Sequence, residues 1–156
     1  MTTVGITGHR DLEDDALARS EIDAVLAGVD APLIGVSALA AGADQIFADA
    51  VLDAGGVLEV IVPAHDYRIS LEPQDRLVFD RLVESAQSVL TLDYPHAGSG
   101  AYLAAGLEML GRCDLLVAVW DGEASRGDGG TADMVRRARE LGIPVAVIDA
   151  VRAPGD

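Results

Sequence analysis

Six short apolar runs are spread along this chain, and longer segments of mixed polarity separate them. The run at 115–120 is uninterrupted and contains the β-branched Val117 and Val119, which is typical of a strand buried on both faces. The other five runs occupy residues 4–7, 33–36, 57–62, 89–92 and 145–148. Each is long enough for a strand and too short for a buried helix, so the pattern predicts six strands.

The segments between the strands place apolar residues three and four positions apart, which is the spacing of a helix with one buried face. In the last of them, Met134, Ala138 and Leu141 share one side, and arginines take the other. Strands that alternate with helices, without a hairpin signal, must be joined by crossovers. We therefore predict an α/β fold, a doubly wound, mostly parallel, Rossmann-like sheet of about six strands with helices on both faces. Residues 1–150 form this single domain, and 151–156 are a polar tail.

Composition narrows the possible functions. The 156 residues, half of them hydrophobic, suffice for one domain with a core. Because the formal net charge is -15, we expect repulsion from nucleic acid and from anionic membranes. No lysine occurs, which excludes a lysine Schiff base and a Walker-type lysine. The single Cys113 forms no internal disulfide, and no export or membrane-spanning segment is recognisable, so we expect a cytoplasmic protein.

Ligands of a doubly wound sheet bind outside the carboxyl ends of the strands, which makes the loops after strands one, two and five the candidates. The loop after strand five ends in Gly129, Gly130 and Thr131, at the start of a helix. Unpaired amides and the positive end of the helix dipole meet there, and glycines let a phosphate approach the backbone closely. Arg126 is placed to close over that anion. The sequence therefore predicts a phosphate-binding loop.

The same loop begins with Asp121 and Gly122 at the end of the strand. The carboxylate of Asp121 is a candidate ribose ligand, acid or metal ligand, and a turn-forming role is the alternative. His65 and His96 lie in other loops, without a histidine or cysteine at metal-ligand spacing. No metal site is therefore predicted.

The loop after strand one contains Gly8, His9 and Arg10. It does not match the G-x-G-x-x-G fingerprint, so a plain NAD-binding site is not expected. His9 and Arg10 are candidates for meeting a phosphate or a carboxylate, and a solvated turn is the alternative.

The loop after strand two supplies three further candidates. Ser37 is placed to reach a bound phosphate or to hold a tight turn, and Gly42 permits close backbone approach. Asp44 lies at a helix start, where it acts either as a ribose-hydroxyl acceptor or as a cap or dipole partner of the helix.

These loops resemble those of the SLOG superfamily, which joins DNA-processing protein A, the Lonely Guy phosphoribohydrolases and molybdenum-cofactor carrier-like proteins. Residues 36–44 are similar to the Ser-Gly-x-Ala-x-Gly-Ile-Asp loop of the DNA-processing protein. The Gly-Gly-Thr at 129–131 is similar to the end of the Pro-Gly-Gly-x-Gly-Thr-x-x-Glu motif of the Lonely Guy enzymes. The resemblance implies a nucleotide-type ligand across the strand ends, with phosphate at the third loop.

The chain departs from this resemblance at the catalytic position. The glutamate of the motif falls on Met134, whose thioether cannot take or give a proton. Asp133 is the preceding residue and lies about 100° away around the helix. It can therefore take the place of the glutamate only if the helix start is shifted.

Our leading hypothesis is a cytoplasmic sensor or carrier that binds a nucleotide or nucleotide derivative and forms a homo-oligomer through helix faces. Neither nucleic acid nor a membrane is expected as a partner, and no cofactor is certain beyond a nucleotide-type ligand. One alternative is an N-glycosidase of nucleoside monophosphates that uses Asp121 or Asp133 as its carboxylate. A non-catalytic assembly module is the other.

Overall fold

A computed structural model of the chain describes residues 1–123 and 130–149, and these form one six-stranded sheet. The strands are β1 (Thr2–Gly8), β2 (Leu33–Ser37), β3 (Val57–Val62), β4 (Ser88–Thr91), β5 (Leu115–Val119) and β6 (Val145–Ile148). Their order is β4-β3-β2-β1-β5-β6, and every neighbouring pair runs parallel. The predicted doubly wound α/β fold is confirmed.

Helices connect the strands, as the apolar spacing predicts. They are α1 (Asp15–Ala27), α2 (Ala43–Asp53), α3 (Tyr67–Ser70), α4 (Pro73–Ser85), α5 (Ser99–Leu110) and α6 (Thr131–Glu140). The short α3 falls in a segment predicted to be a loop. The Tyr67 side chain holds it to the protein, since it is buried and its ring packs edge-on against Phe79 at a centroid distance of 6.1 Å.

The helices cover both faces of the sheet, and successive strand residues point to opposite sides. Val60 lies in a cluster with Phe79 and Leu82 of α4, while Ile61 lies with Met109 of α5 and other residues of the opposite face. Thus α1, α2 and α4 cover one face, and α5 and α6 cover the other.

The strand order reverses beside β1. The chain builds β1, β2, β3 and β4 outward in one direction, and then places β5 and β6 on the other side of β1. The carboxyl ends of β1, β2 and β5 therefore lie side by side at one edge of the sheet. This is the switch at which such folds bind ligands.

Close contact between α2 and β2 requires a glycine in the strand. A Cβ added at Gly35 would lie 2.5 Å from Cγ2 of Val51 and 3.2 Å from Cε1 of Phe47. Both side chains are completely buried, so they have no free space into which to move.

We expect Gly35→Ala to lower the free energy of unfolding by about 1–3 kcal/mol, because the added methyl group overpacks this contact. Urea denaturation of the full chain measures the change. The matched control is Gly98→Ala, since a Cβ there meets nothing within 4 Å and the backbone is extended. Equal stability of the two variants would contradict the packing argument.

Candidate functional site

A pocket of about 350 Å³ lies at the carboxyl edge of the sheet. It is bounded by the ends of β1, β2 and β3 and by α5 and the start of α6. Its floor consists of buried apolar residues: Val36, Ile61, Ala105, Met109 and Met134. Polar groups line the rest: Thr7, Arg10, Asp44, Tyr67, Tyr102 and Thr131. The pocket thus combines an apolar floor with polar walls, as small-molecule sites do.

Arg10 stands at the mouth of the pocket. Its guanidinium carbon lies 5.3 Å from the centre of the Tyr102 ring, across the opening between the β1–α1 loop and α5. This is the geometry of a cation–π interaction, which holds the cation without neutralising it. Arg10 therefore lines the pocket with its charge available, and its predicted contact with an anionic group stays a prediction.

Asp44 lies in the wall of the pocket, in the first turn of α2. Only 9% of the residue is exposed, and its Oδ2 accepts a hydrogen bond from the backbone N–H of Ala40 at 3.3 Å. Burial raises the pKa of Asp44 to about 7, although the Ala40 hydrogen bond and the charge of Arg10 oppose the rise. Near neutral pH, Asp44 can therefore both accept and donate hydrogen bonds.

The hydroxyl of Ser37 lines the pocket but is engaged within its own loop. It donates to the carbonyl of Asp44 at 3.1 Å and accepts from the amide of Leu39 at 3.0 Å. Because a hydroxyl has one proton, Ser37 cannot also donate to a phosphate. The predicted phosphate contact is replaced by the turn-holding role that was its alternative.

Gly42 and Gly8 serve packing between segments of the chain. Gly42 has a φ of +79°, and a Cβ there would lie 2.6 Å and 2.4 Å from the carbonyl oxygens of His9 and Arg10. A Cβ at Gly8 would lie 2.4 Å from Cβ of Ala43. Gly8 also lines the pocket, whereas the space over Gly42 is filled by the chain itself. The predicted approach of a ligand to Gly42 is therefore wrong.

The first turn of α6 lines the pocket through Gly130, Thr131 and Met134. Gly130 occupies the N-cap position, where no side chain of the described residues caps the helix. Met134 places its thioether against α5, since a Cβ added at Gly106 would lie 2.6 Å from its Sδ. Met134, which occupies the position of the glutamate in the related motif, thus places an apolar side chain in the pocket lining.

The two carboxylates proposed for catalysis lie elsewhere. Asp133 accepts hydrogen bonds from Arg136 and Arg137 on its own helix and does not line the pocket. Asp121 accepts from the amide of Glu123 at 2.9 Å, which is the turn-forming role given as its alternative. Gly122, with a φ of +84°, suits that turn and also lies outside the pocket lining.

His9 belongs to this neighbouring turn. Its Nε2 lies 3.4 Å from Oδ1 of Asp121, which is within ion-pair range but lacks hydrogen-bond geometry. The histidine side chain does not line the pocket. The remaining predicted residues, Arg126 and Gly129, lie outside the described part of the chain.

The contributions of α3 and α5 to the pocket were not predicted from the sequence. Tyr67, Ser99, Tyr102 and Met109 line the pocket, yet all lie outside the three loops considered. If the segments after the carboxyl ends of β3 and β4 had also been considered, they would have included Tyr67 and Ser99. Among the described residues, no group of three or more His, Cys, Asp or Glu is arranged to hold a metal ion.

Comparison of the sequence with family models and with curated proteins finds no match. The fold is nevertheless similar to solved structures. DNA processing protein A from Streptococcus pneumoniae superposes with a TM-score of 0.68 at 21% identity over 97% of this chain. DNA processing protein A from Helicobacter pylori superposes with a TM-score of 0.70 at 16% sequence identity over 94% of this chain. The Moco carrier protein of Chlamydomonas reinhardtii superposes with a TM-score of 0.54, also at 16% identity over 94% of this chain.

The chain has a SLOG-type fold. It spans 53% of the S. pneumoniae protein, 64% of the H. pylori protein and 75% of the Moco carrier protein. The SLOG resemblance of the two loops is therefore confirmed at the level of the fold. The activities of these larger proteins do not follow from it.

The expectation that nucleic acid is not a partner is overturned by this comparison. The H. pylori protein, which shares the SLOG-type fold, binds single-stranded DNA. Net charge describes the whole chain, whereas nucleic acid is bound by a local surface, so a charge of -15 does not exclude such a partner. In the described residues, no helix is both long and apolar enough to cross a membrane.

The buried Asp44 gives a testable dependence of stability on pH. Its ordinary pKa of 3.8 applies to the unfolded chain, and the folded value is about 7. Between these values the unfolded chain releases the proton while the folded chain retains it. Stability therefore falls as the pH rises through this window and levels off above it. Asp44→Asn removes this decrease, so its stability relative to the parent should rise with pH, by at most about 4 kcal/mol above pH 7.

Urea denaturation of parent and Asp44→Asn at intervals from pH 4 to 8 measures the effect. The two stability curves should diverge as the pH rises. Parallel curves would show that the folded and unfolded states bind the Asp44 proton equally.

Proposed function

We propose that this protein binds a nucleotide or nucleotide derivative in the pocket, as a cytoplasmic sensor or carrier. The observation that carries the proposal is the combination of three features in one cavity. The start of α6 and the Arg10 guanidinium provide positive groups, Asp44 provides a hydrogen-bonding wall, and the floor is apolar. A phosphate, a polyhydroxylated sugar and an aromatic ring need these three environments.

The anionic end of the ligand is assigned to α6 and Arg10. The first backbone N–H groups of a helix have no partner within the helix, and they coincide with the positive end of its dipole. Gly130 and Thr131 bring this end to the pocket, where no described side chain caps it. Arg10 adds a full charge at the mouth. These groups suit a phosphate.

The ring of the ligand is assigned to the apolar floor. Met109 and Met134 both line it, and thioethers pack favourably against aromatic rings. The volume of about 350 Å³ falls within the range of small-molecule sites. Asp44, which lines the same pocket, is assigned to ribose hydroxyls, for which a carboxylate is an acceptor.

The solved structures support a small-molecule ligand. Besides the carrier protein of C. reinhardtii, the molybdenum cofactor binding protein of Rippkaea orientalis has a similar fold, with a TM-score of 0.56 at 14% identity. The names of both proteins describe binding or carriage of a cofactor. Binding without chemistry also agrees with Met134 at the position where the related motif has an acid.

The hydrolase alternative has less support. Neither Asp121 nor Asp133 lines the pocket, and both carboxylates take part in other interactions. Among the described residues that line the pocket, Asp44 is the one with a carboxyl group.

We expect at least one nucleotide of a panel of mono- and dinucleotides to bind, as measured by isothermal titration calorimetry. Arg10→Gln should weaken that binding about 10- to 100-fold, because a hydrogen bond to a charged group contributes about 1.5–3 kcal/mol. The control is Arg19→Gln on α1, which makes the same charge change at an ion pair with Asp23 and Asp53. If no nucleotide binds, or if both variants bind as well as the parent, the proposal fails.

A second variant tests the backbone contact at α6. Gly130→Val is compatible with the extended backbone of this residue, and it blocks the approach of an anion to the neighbouring amides. Affinity for the same nucleotide should fall, while the unfolding midpoint of the free protein stays close to that of the parent. A non-binding assembly module would instead show no difference between Gly130→Val and the parent.

Incubation with nucleoside monophosphates separates carrier from hydrolase. We expect the nucleotide to be recovered intact by liquid chromatography. Free base and ribose 5-phosphate in equal amounts above the blank would favour the hydrolase, and their loss in Asp44→Asn would assign the carboxyl group.

A further inference from the structure

Helix α5 has an outward face without charge. The face comprises Gly100, Leu103, Ala104 and Leu107, which are spaced as one side of a helix. Leu103 and Ala104 are partly exposed, and 43% of Leu107 is exposed. On a chain with a net charge of -15, an uncharged helix face that remains in solvent needs an explanation.

Gly100 has no function within the chain that requires a glycine. A Cβ added there would meet nothing within 4 Å, and its φ lies outside the left-handed region. An alanine at this position, the second residue of α5, would therefore fit within the chain. Close approach of a second backbone from outside would make the missing side chain useful.

We infer that the α5 outer face is the contact between two copies of this chain, packed antiparallel around a two-fold axis. In that arrangement Gly100 lies opposite Leu107 of the other copy, and Leu103 lies opposite Ala104. Every leucine then meets a small residue, so the face is complementary to itself. A parallel arrangement places like residues together and offers no such fit.

The charge of the chain also favours a second copy at this position. Two chains of net charge -15 repel each other, and the repulsion is smallest where the touching surfaces carry no charge. By contrast, the outer side of α6 carries Arg136, Arg139 and Glu140. The α5 outer face is therefore suited to contact between identical acidic chains.

A stable dimer buries about 1,600 Å² in total, which these four residues cannot supply. The contact therefore extends beyond α5, and β4 provides the adjoining surface. Leu90 pairs in register with Ile61, which packs against α5, so Leu90 faces the same side of the sheet. It is 38% exposed, on an edge strand that carries no charged residue. An uncharged edge of this kind is prone to association.

Sedimentation equilibrium of the full chain over a range of concentrations tests the inference. We expect twice the chain mass for the parent and for Leu77→Glu, a control on α4 whose leucine is 74% exposed. Leu107→Glu should sediment as a monomer. Gly100→Leu should do the same, because it fills the recess for Leu107 of the other copy, while its Cβ meets nothing within 4 Å in its own chain. Circular dichroism confirms that each variant is folded.

Cross-linking gives an independent measurement. Ala104→Cys places a thiol close to the proposed two-fold axis, whereas the native Cys113 is buried. Mild oxidation should convert Ala104→Cys to a covalent dimer and leave Leu77→Cys mainly monomeric. A parent that is monomeric at all concentrations overturns the inference. So does a dimer that survives both Leu107→Glu and Gly100→Leu.

Discussion

The constraint on which the site depends is the close packing of α2 against the first two strands, at positions that admit no side chain. Gly8 and Gly35 lie directly beneath α2, and Gly42 lies against carbonyl oxygens of the β1–α1 loop. This contact places the first turn of α2 at the carboxyl edge of the sheet, where Asp44 is buried. Burial then raises its pKa to about 7. A packing requirement thus determines the chemistry of one pocket wall.

The part of the pocket wall formed by α6 has a different physical origin. At the start of α6 the useful groups are backbone amides, whose availability follows from helix geometry and whose approach is open because Gly130 has no side chain. Arg10 is held at the mouth by the face of Tyr102, which leaves its charge available. Fixed dipoles and a titratable carboxyl group therefore line the same pocket together with an apolar floor. Such chemically different surfaces would orient the proposed ligand.

The fold was predictable from the sequence because strand and helix periods are local properties. The bounds of β3 and β6 agree with their apolar runs, while α3 was missed because its single buried anchor, Tyr67, gives no periodic signal. The site was less predictable. Whether Asp133 or Met134 faces the pocket depends on the rotation of α6, and which partner Ser37 finds depends on the path of its loop. The exclusion of nucleic acid failed because it used the total charge.

At the first turn of α6, anion binding and proton transfer depend on different groups. Its amides present the same geometry whatever side chains the helix carries, so an anion site needs only an open approach. Proton transfer, in contrast, needs an ionisable group at one position, and Met134 fills that position with a thioether packed against Gly106. Met134 also makes the floor of the pocket more apolar than a glutamate would, which is the environment that the ring of the proposed ligand needs. A thioether at this position therefore agrees better with the proposed binding than with proton transfer.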